Sequence, residues 1–306
     1  MIKYRNLDPS LKGMFVNPPR RQRHVIKSDA SNLDFVRSRS EGNVYNSIID
    51  AVSESEDFDE IVVWPGLWVE AATIDITQDS LLIRAADFAP GHARKNTHIR
   101  QYGNVKTPVF TIDGAHNVEI AGFRISPYDG GGTDISSGIC VAASVWTHAV
   151  YIHDNFFYAY NAAGEGVVLG TAGGAGTEAT DAVIQNNYFQ WGGSGSAAAA
   201  QIQMHDAPRC EILNNKFDVI GGHGLAIHYT PLATTHYKSA WICDNYFCNA
   251  DGHGGCVGID VGSVEPGRLV LTNNHFINFA SDAACISDYD ADNIGINWNG
   301  HVKVST

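Results

Sequence analysis

One eight-residue pattern recurs five times along the chain and restricts the fold more than any other feature. Each copy reads apolar-x-apolar-x-(Asn/Asp)-Asn-x-Phe, and the final phenylalanines lie 32, 28, 30 and 29 residues apart. The apolar positions recur with a period of two, which predicts strands. A nearly constant interval of about 30 residues predicts a solenoid of repeated coils. The copies are residues 150–157, 182–189, 210–217, 240–247 and 269–276, preceded by a weaker one at 118–123.

The Asn step and the phenylalanine that follows it predict the shape of one coil. Asn tolerates left-handed backbone geometry and its amide bonds nearby backbone groups, so the step predicts a turn between two short strands. The units contain no amphipathic helix, and they are shorter than the ~40–45 residues of a propeller blade. We therefore expect a parallel β-helix in which stacked amides bond from coil to coil. The residues of this ladder are Asn155, Asn187, Asn215, Asn245 and Asn274.

The segments upstream of the repeat follow a recognisable order. Residues 46–55 predict a short helix with one apolar face, and they precede the strand pattern IVVWPGLWVE at 61–70 and a longer one at 109–125. This order resembles the pectin lyase-like right-handed parallel β-helix proteins, which have a capping helix, a V-x-P-G-x-Y-x-E coil and an I-x-G-x-x-N-V-x-I-x-G-F-x-I coil. Trp68, two residues after Gly66, stands where the first of these coils has its aromatic residue. The resemblance extends over residues 43–304.

The resemblance implies an all-β chain that forms a single-stranded right-handed parallel β-helix with a short N-terminal capping helix. We expect residues 43–306 to form this domain and residues 1–42 to form an N-terminal arm. Lyases, hydrolases, epimerases, adhesins and phage tail proteins all occur on this fold, so the fold by itself leaves the activity open.

Charge is distributed unevenly along the chain. Residues 1–40 have a net charge of +6, although the whole chain has a net charge of −13. Nucleic acids and anionic membranes bind cationic side chains, so the acidic remainder argues against both as partners. We interpret the basic run at 20–24 as a solvated arm or docking segment, the alternative being a nucleic-acid contact. The sequence shows no signal peptide and no membrane-spanning run of ~20 apolar residues, so we expect a virion-associated or cytoplasmic protein.

Six cysteines occur without any CxxC pair, which argues against zinc and thioredoxin-like sites. We interpret them as buried reduced thiols that pack as small hydrophobic groups. Alignment of the units on their phenylalanines gives an apolar interior row of Ile227, Val257 and Ile286, and it puts Cys256 and Cys285 in one register. We expect stacked thiols there rather than a disulfide, because parallel stacked side chains give poor dihedral angles.

The same alignment places polar residues on one flank of the last three coils. Asp260 and Asp288 would stack about 5 Å apart, which is the carboxyl separation of a retaining glycosidase. His228 has the chemical type of the base that a lyase or an epimerase needs. These three are the candidate catalytic residues. The alternative is that the aspartates bond to turns or to solvent.

This flank also predicts a binding surface. Residues 230–238 form a long excursion between strands, and loops on a rigid scaffold often have functional residues. Tyr229 or Tyr237 would stack on a sugar ring, while Asp and His side chains would bond to hydroxyls. The alternatives are histidines that complete turns and aromatics that are partly buried under loops. The remaining candidate binding residues are His205, His223, His253 and Lys238.

Asp288, Asp290 and Asp292 alternate along the chain as the carboxylates of a calcium loop do. The run lacks the glycine at the sixth position and the bidentate glutamate at the twelfth, where Asn293 and Asn299 stand. It therefore does not match the helix-loop-helix calcium motif. A looser Ca²⁺ site at the three aspartates is the one cofactor site that the sequence suggests.

Two classes of function compete. The first is a polysaccharide hydrolase or lyase, and the second is a non-catalytic structural protein or adhesin of a virus particle or cell surface. The basic N-terminal segment and the lack of a signal peptide favour a particle-associated protein such as a phage tail component. The Asp-Pro-His signature of the mannuronan epimerases has no match, since the nearest string is Asp251-Gly252-His253. We expect a polysaccharide as the partner, with or without its degradation.

We expect a homo-oligomer, with a trimer as the favoured arrangement. The end of a β-helix exposes unpaired strand edges, and the sequence indicates a capping helix only at the N-terminal end of the stack, so a partner chain or the tail at 302–306 must cover the other end. Light scattering at micromolar concentration should therefore give a multiple of the 33.1 kDa chain mass. The mass of a single chain would contradict this prediction.

Overall fold

The computed structural model shows a stack of parallel β coils. The chain passes through three sheets, here named A, B and C, and returns to A to begin the next coil. Neighbouring strands within each sheet are parallel, which confirms the predicted parallel β-helix. The structure describes residues 20–30, 33–34, 36, 43–88, 96–101, 107–127, 137–142, 144–159, 165–170, 178–191, 200–205, 207–219, 224–230, 240–249, 256–261, 269–279, 285–287 and 302–304.

The strands of each sheet follow one another in coil order. Sheet A contains β2 (Val44–Tyr45), β1 (Gln22–Val25), β3 (Glu60–Val63), β6 (Leu82–Ala85), β9 (Glu119–Ala121), β13 (Tyr151–His153), β17 (Val183–Gln185), β20 (Cys210–Leu213), β23 (Ala240–Cys243) and β26 (Leu269–Thr272). Sheet B contains β4 (Gly66–Glu70), β7 (Thr97–Gln101), β10 (Arg124–Ser126), β14 (Phe156–Ala159), β18 (Tyr188–Trp191), β21 (Lys216–Val219), β24 (Tyr246–Asn249), β27 (His275–Ile277) and β29 (Val302–Val304). Sheet C contains β5 (Ile74–Ile76), β8 (Phe110–Ile112), β11 (Ser137–Val141), β15 (Glu165–Leu169), β19 (Ala200–Met204), β22 (Leu225–Tyr229), β25 (Val257–Val261) and β28 (Ile286–Ser287). A small fourth sheet pairs β12 (Thr147–His148) with β16 (Ala179–Thr180).

A short helix covers the N-terminal end of the stack. Helix α1 (Ile48–Ser53) begins after Ser47, whose hydroxyl accepts a hydrogen bond from the backbone N–H of Asp50 at 3.3 Å. Its buried side chains, Val52 among them, pack against strands of the first coil. The predicted capping helix is thereby confirmed. Within the described ranges, no helix has the length and apolar character needed to cross a membrane.

The basic run at 20–24 is folded against the first coil. Strand β1 lies between β2 and β3, so this part of the segment predicted as an arm belongs to the β-helix. Arg21 donates two hydrogen bonds to the Asp59 carboxylate, at 3.1 and 2.8 Å, and Arg23 donates a third at 2.7 Å. Burial alone would raise the pKa of Asp59, but these bonds outweigh burial and lower it. The solvated arm is therefore wrong for this run, which pairs with the first coil.

The predicted asparagine ladder runs through the turns between sheets A and B. The Oδ1 of Asn187 accepts hydrogen bonds from the backbone N–H and the Nδ2 of Asn155, at 2.9 and 3.2 Å. The Nδ2 of Asn187 donates to the Ile152 carbonyl at 2.9 Å and to the Oδ1 of Asn215 at 3.1 Å. The pattern continues down the stack to Asn274. Because these amides are buried and paired, they hold successive coils in register.

The residue before each ladder asparagine adopts the left-handed backbone that the sequence predicts. Asp and Asn reach this region at low cost, since their short side chains bond locally. The turn can therefore be as tight as the amide ladder requires. The φ angles are +55° at Asp154, +56° at Asn186, +54° at Asn214, +59° at Asp244 and +54° at Asn273.

The repeated phenylalanines form a continuous stack inside the helix. Neighbouring ring centroids lie 4.7 to 4.9 Å apart and the ring planes differ by 5 to 8°, from Phe157 to Phe276. At the corner where sheet C begins, a Cβ on Gly166 would lie 2.8 Å from the ring of Phe189 and 2.6 Å from a backbone oxygen. Only glycine allows this close approach, so the aromatic stack also determines the small residues that face it.

Near the C-terminal end, alignment of the coils on their phenylalanines no longer predicts which residues are in register, because the coils differ in length after the phenylalanine. Ile227 is in register with Ile259, which is in register with Ile286, so Val257 is not part of the interior row. The coil that contains β25 has two more residues between its phenylalanine and this row than its two neighbours have. The interior row itself remains apolar, because the core determines which residue faces inward.

The same offset corrects the expectation for the cysteines. Since Ile259 pairs with Ile286, Cys285 lies in register with Gly258 and the Cys256–Cys285 stack is wrong. None of the six thiols forms a disulfide, and five are buried, as expected. Burial raises the pKa of the Cys210 thiol to about 12, which leaves it protonated and unreactive.

The ladder makes a prediction about stability. Replacing Asn215 with Ala leaves the Ile184 carbonyl and the amides of Asn187 without their buried partners, so the free energy of unfolding should fall by about 1–3 kcal/mol. Chemical denaturation measures the change. Asn214→Gly is the matched control, because Asn214 is exposed at φ +54° and glycine accepts that backbone. Equal midpoints for the two variants would contradict a structural role for the ladder.

Candidate functional site

Side chains on the outer face of sheet C form a row whose last four described members are polar. Ile227 and Tyr229 are buried in the core, so alternation along β22 directs His228 outward. Strand pairing places one residue of each coil in register with His228, and we name this set the outer row of sheet C. In coil order it comprises Asp75, Thr111, Cys140, Val168, Gln203, His228, Asp260 and Ser287.

Three consecutive members of the outer row contact one another. The Nδ1 of His228 lies 2.9 Å from the Oε1 of Gln203, and its Nε2 lies 3.3 Å from the Oδ2 of Asp260. The amide nitrogen of Gln203 donates to the hydroxyl of Thr230 at 3.3 Å, which orients Oε1 toward the histidine. The side chains of His228 and Asp260 are 24% and 17% exposed, so a ligand on this face reaches them.

The Gln203–His228–Asp260 array has a definite hydrogen-bonding character. Both partners of the His228 ring are acceptors, so a ring N–H that faces one of them donates to it. The contact between the ring Nε2 and the Oδ2 of Asp260 holds this carboxylate in place. An oriented, half-buried carboxylate is suited to acid–base or nucleophilic chemistry and to binding sugar hydroxyls.

A second histidine lies beside the array. His205 directly follows β19, and its Nδ1 lies 3.1 Å from the hydroxyl of Thr230. Burial lowers the pKa of His205, and the charge of the nearby His228 lowers it further. His205 is thus neutral where an ordinary histidine would begin to protonate, and no described residue bonds to its Nε2.

Sheet C also contains a carboxyl group that the sequence reasoning missed. Glu165 begins β15, where strand pairing places it opposite Ser137. Burial raises its pKa to about 7, so a large fraction of this side chain is protonated at neutral pH. Its one sequence signal is a glutamate at the start of the otherwise apolar strand EGVVL.

The structure brings three of the predicted site residues together. His228 and Asp260 are neighbours in the outer row, and His205 lies one coil earlier, next to Thr230. Asp260 is in register with Ser287, so the direct stacking expected for it is off by one residue. The remaining predicted catalytic, binding and calcium residues lie outside the described residues, namely Asp288, Asp290, Asp292, His223, His253, Tyr237 and Lys238.

The prediction that Tyr229 stacks on a sugar ring is wrong. Its side chain is fully buried, whereas its neighbour His228 is partly exposed. The reason is the period of two in a strand, because a coil that directs His228 outward must direct the next residue into the core. Thr230 and Gln203 contact the site histidines instead, and the sequence reasoning named neither of them.

The described residues contain no cluster of three or more His, Cys, Asp or Glu side chains placed to hold a metal ion. The three aspartates of the predicted Ca²⁺ site are not among these residues, so the site stays a prediction.

No protein-family model matches the chain, and neither does any curated protein. Several solved structures share its fold. The pectin methylesterase PemA from Erwinia chrysanthemi matches with a TM-score of 0.55 and 13% identity, over 88% of this chain and 86% of that one. The rice weevil pectin methyl esterase matches with a TM-score of 0.56 and 11% identity, over 92% of this chain and 96% of that one. Pectate lyase Pel9A matches with a TM-score of 0.56 and 10% identity, over 94% of this chain and 76% of that one.

At these identities the likeness shows the fold. Both the neighbours and this chain are built from long parallel sheets, and the chain has the right-handed parallel β-helix fold. The resemblance seen in the sequence is thereby confirmed for the architecture. The chemistry has to be argued from the outer row, since one fold of this kind supports unrelated reactions.

The raised pKa of Glu165 makes a prediction about stability and pH. Its folded pKa of about 7 lies above the ordinary value of 4.5, so folding favours the protonated form. This contribution is fully present below about pH 4.5 and is lost as the pH rises through 7, by up to about 3 kcal/mol. The free energy of unfolding of Glu165→Gln, measured by denaturation at pH 5 and pH 8, should therefore fall less than that of the unaltered chain.

Asp75→Asn is the matched control for this experiment. Asp75 is an exposed carboxylate of the outer row, so its removal should leave the pH dependence of unfolding as it was. Identical pH dependences for Glu165→Gln and the unaltered chain would contradict the assignment.

Proposed function

We propose that the chain is a polysaccharide-binding β-helix protein that degrades its glycan, as a hydrolase or a lyase, at the Gln203–His228–Asp260 array of sheet C. The observation that supports this most directly is the contact of these three side chains on consecutive coils, with His228 and Asp260 partly exposed. The similar folds support it more generally, because the solved neighbours are by name a pectin methylesterase and a pectate lyase.

The shape of the site favours a linear polymer as the ligand. The strands of sheet C are parallel and stacked at about 4.8 Å, so equivalent side chains repeat along a straight line. A chain of sugars lying along that line would meet His228 and Asp260 on consecutive coils, while the buried Gln203 supports His228 from the preceding coil. Each hydrogen bond to a hydroxyl would contribute roughly 0.5–1.5 kcal/mol net, so several of them are needed for useful affinity.

The side chains of the site suit distinct roles in degradation. Asp260 acts as the base or nucleophile, since His228 fixes the orientation of its carboxylate. His205 exchanges a proton through Nε2, because its lowered pKa keeps the ring neutral. Gln203 and Thr230 position the two histidines and are not required to react.

Binding without catalysis is the second candidate. Its specific support is that both ring nitrogens of His228 already contact side chains, so a substrate would have to displace one of these contacts to reach the ring. In that case the outer row recognises a glycan, and the chain is an adhesin or a structural component of a virus particle. The predicted homo-oligomer belongs to this candidate as well.

The test is turnover across a panel of neutral and acidic polysaccharides. Reducing ends report hydrolysis, unsaturated uronate absorbance reports elimination, and released methanol reports ester cleavage. Asp260→Asn should lower kcat on the accepted polymer by about 10²–10⁴-fold while leaving the melting point unchanged, because it removes the charge and keeps the shape.

Asp75→Asn again supplies the control, since it makes the same change far along the same row. Retained turnover in Asp260→Asn would contradict the catalytic assignment. Binding of a polymer that Asp260→Asn weakens, with no turnover on any member of the panel, would favour the binding candidate. Absence of both binding and turnover would contradict both.

A further inference from the structure

A different face of the molecule has an unusual combination of side chains. The outer face of sheet B presents cations and aromatic rings on neighbouring strands. We name the following six residues the sheet B strip: Arg100, Arg124, Tyr158, Tyr188, Lys216 and Tyr246. They face away from the core and away from the outer row of sheet C, which is built from other strands.

The rings of the strip hold its cations at the surface. The guanidinium carbon of Arg124 lies 4.7 Å from the ring centroid of Tyr158. The ammonium of Lys216 lies 4.6 Å from the ring centroid of Tyr188. Such contacts orient a charged head, and 48% of the Lys216 side chain is exposed, whereas the Nε of Arg124 is buried without a hydrogen-bond partner. The rings beneath give these flexible side chains a preferred position.

This face has an excess of positive charge, although the chain as a whole is negatively charged. The chain has a net charge of −13, yet the outward side chains of the described sheet B strands include a single carboxylate, Asp218. Asp218 is nearly buried, accepts a hydrogen bond from the Tyr188 hydroxyl and lies 3.5 Å from the Lys216 ammonium. The negative charge of Asp218 is therefore largely neutralised within the strip by Lys216. The positive charges of Arg100 and Arg124 have no matching carboxylate among the described outward side chains of this sheet.

The pKa of a nearby histidine, His98, is affected by the positive charges of this face. His98 lies in register with Arg124, and its Nε2 contacts the hydroxyl of Ser126 at 2.9 Å. Its pKa is lowered to about 4, first by burial and then by the charges of Arg124 and Arg100. Positive groups thus outnumber negative ones around it, which is the condition for attracting an anion.

We propose that the sheet B strip is a second glycan-binding surface, specific for a linear acidic polysaccharide. Carboxylates of the polymer pair with Arg100, Arg124 and Lys216, while the exposed face of Tyr246 stacks on a sugar ring. The strands run side by side at about 4.8 Å, so the pairs recur along a straight line that a linear polymer follows. The strip is separate from the site on sheet C, and its binding does not depend on the activity proposed there.

The charges favour a polysaccharide over a nucleic acid. Affinity for nucleic acid grows with the number of phosphates that cations neutralise, and this strip has only three permanent cations within an acidic chain. A polymer with one carboxylate on each sugar needs fewer pairs and gains from ring stacking.

Calorimetric titration with alginate, a linear polymer with one carboxylate on each sugar, tests the proposal, with neutral dextran as the comparison. Lys216→Gln and Arg124→Gln should each weaken alginate binding about tenfold and reduce its dependence on salt. Arg209→Gln is the matched control, because it removes the same charge from an exposed arginine outside the strip. Lys216 is half exposed, so its variant should fold even if replacement of Arg124 is disruptive.

Several outcomes would overturn the proposal. Alginate binding that is equal in the unaltered chain and in Lys216→Gln would remove the strip from the interaction. Dextran binding as tight as alginate binding would remove the role of charge, and tighter binding of single-stranded DNA at the same salt would indicate a nucleic-acid surface.

A double variant separates this surface from the site on sheet C. The two lie on different sheets, so the loss caused by Lys216→Gln should have the same factor in an Asp260→Asn background. If that factor disappears, the two surfaces are one site and the proposal fails. Failure to find turnover on any polysaccharide would leave the alginate measurement unaffected.

Discussion

The amide ladder between sheets A and B sets the vertical position of every coil. The oxygens from Asn187 to Asn274 each accept two hydrogen bonds from the preceding coil, and the nitrogens from Asn155 to Asn245 each donate to a backbone carbonyl and to the next amide. A slip of one residue would leave several buried polar groups unpaired at once, and each would cost about 1–3 kcal/mol. The Phe157–Phe276 stack lies two residues after this ladder and inherits its register.

This register extends from the interior to the outer faces. Because strand side chains alternate, a fixed inward row also fixes the outward rows. His228 lies between Gln203 and Asp260 for this reason, although the three residues are far apart in the sequence. The same stacking repeats cations and rings along sheet B. A single constraint in the turns thus organises two surfaces that differ in charge and shape.

The comparison with solved structures separates architecture from chemistry. An esterase and a lyase match this chain equally well, at TM-scores of 0.55 and 0.56 and identities of 13% and 10%. The common part is the stack of coils, which depends on apolar inward residues and needs no particular sequence outside. Function in this architecture therefore resides in the outward side chains, and those of sheet C are the ones that support the proposed activity.

The sequence by itself determined the coil. Its period of two, the Asn step and the phenylalanine are local signals, and the asparagines and phenylalanines of this repeated step stack in successive coils. Tertiary structure decided what depends on turn length and long-range partners. The longer turn before β25 moved Ile259 rather than Val257 into the core row. The pairing of Arg23 with Asp59, the raised pKa of Glu165 and the burial of Tyr229 depend on neighbours from other coils or on the register. No local pattern records these, because the free energy of burying a charge or a ring is set by what surrounds it in space.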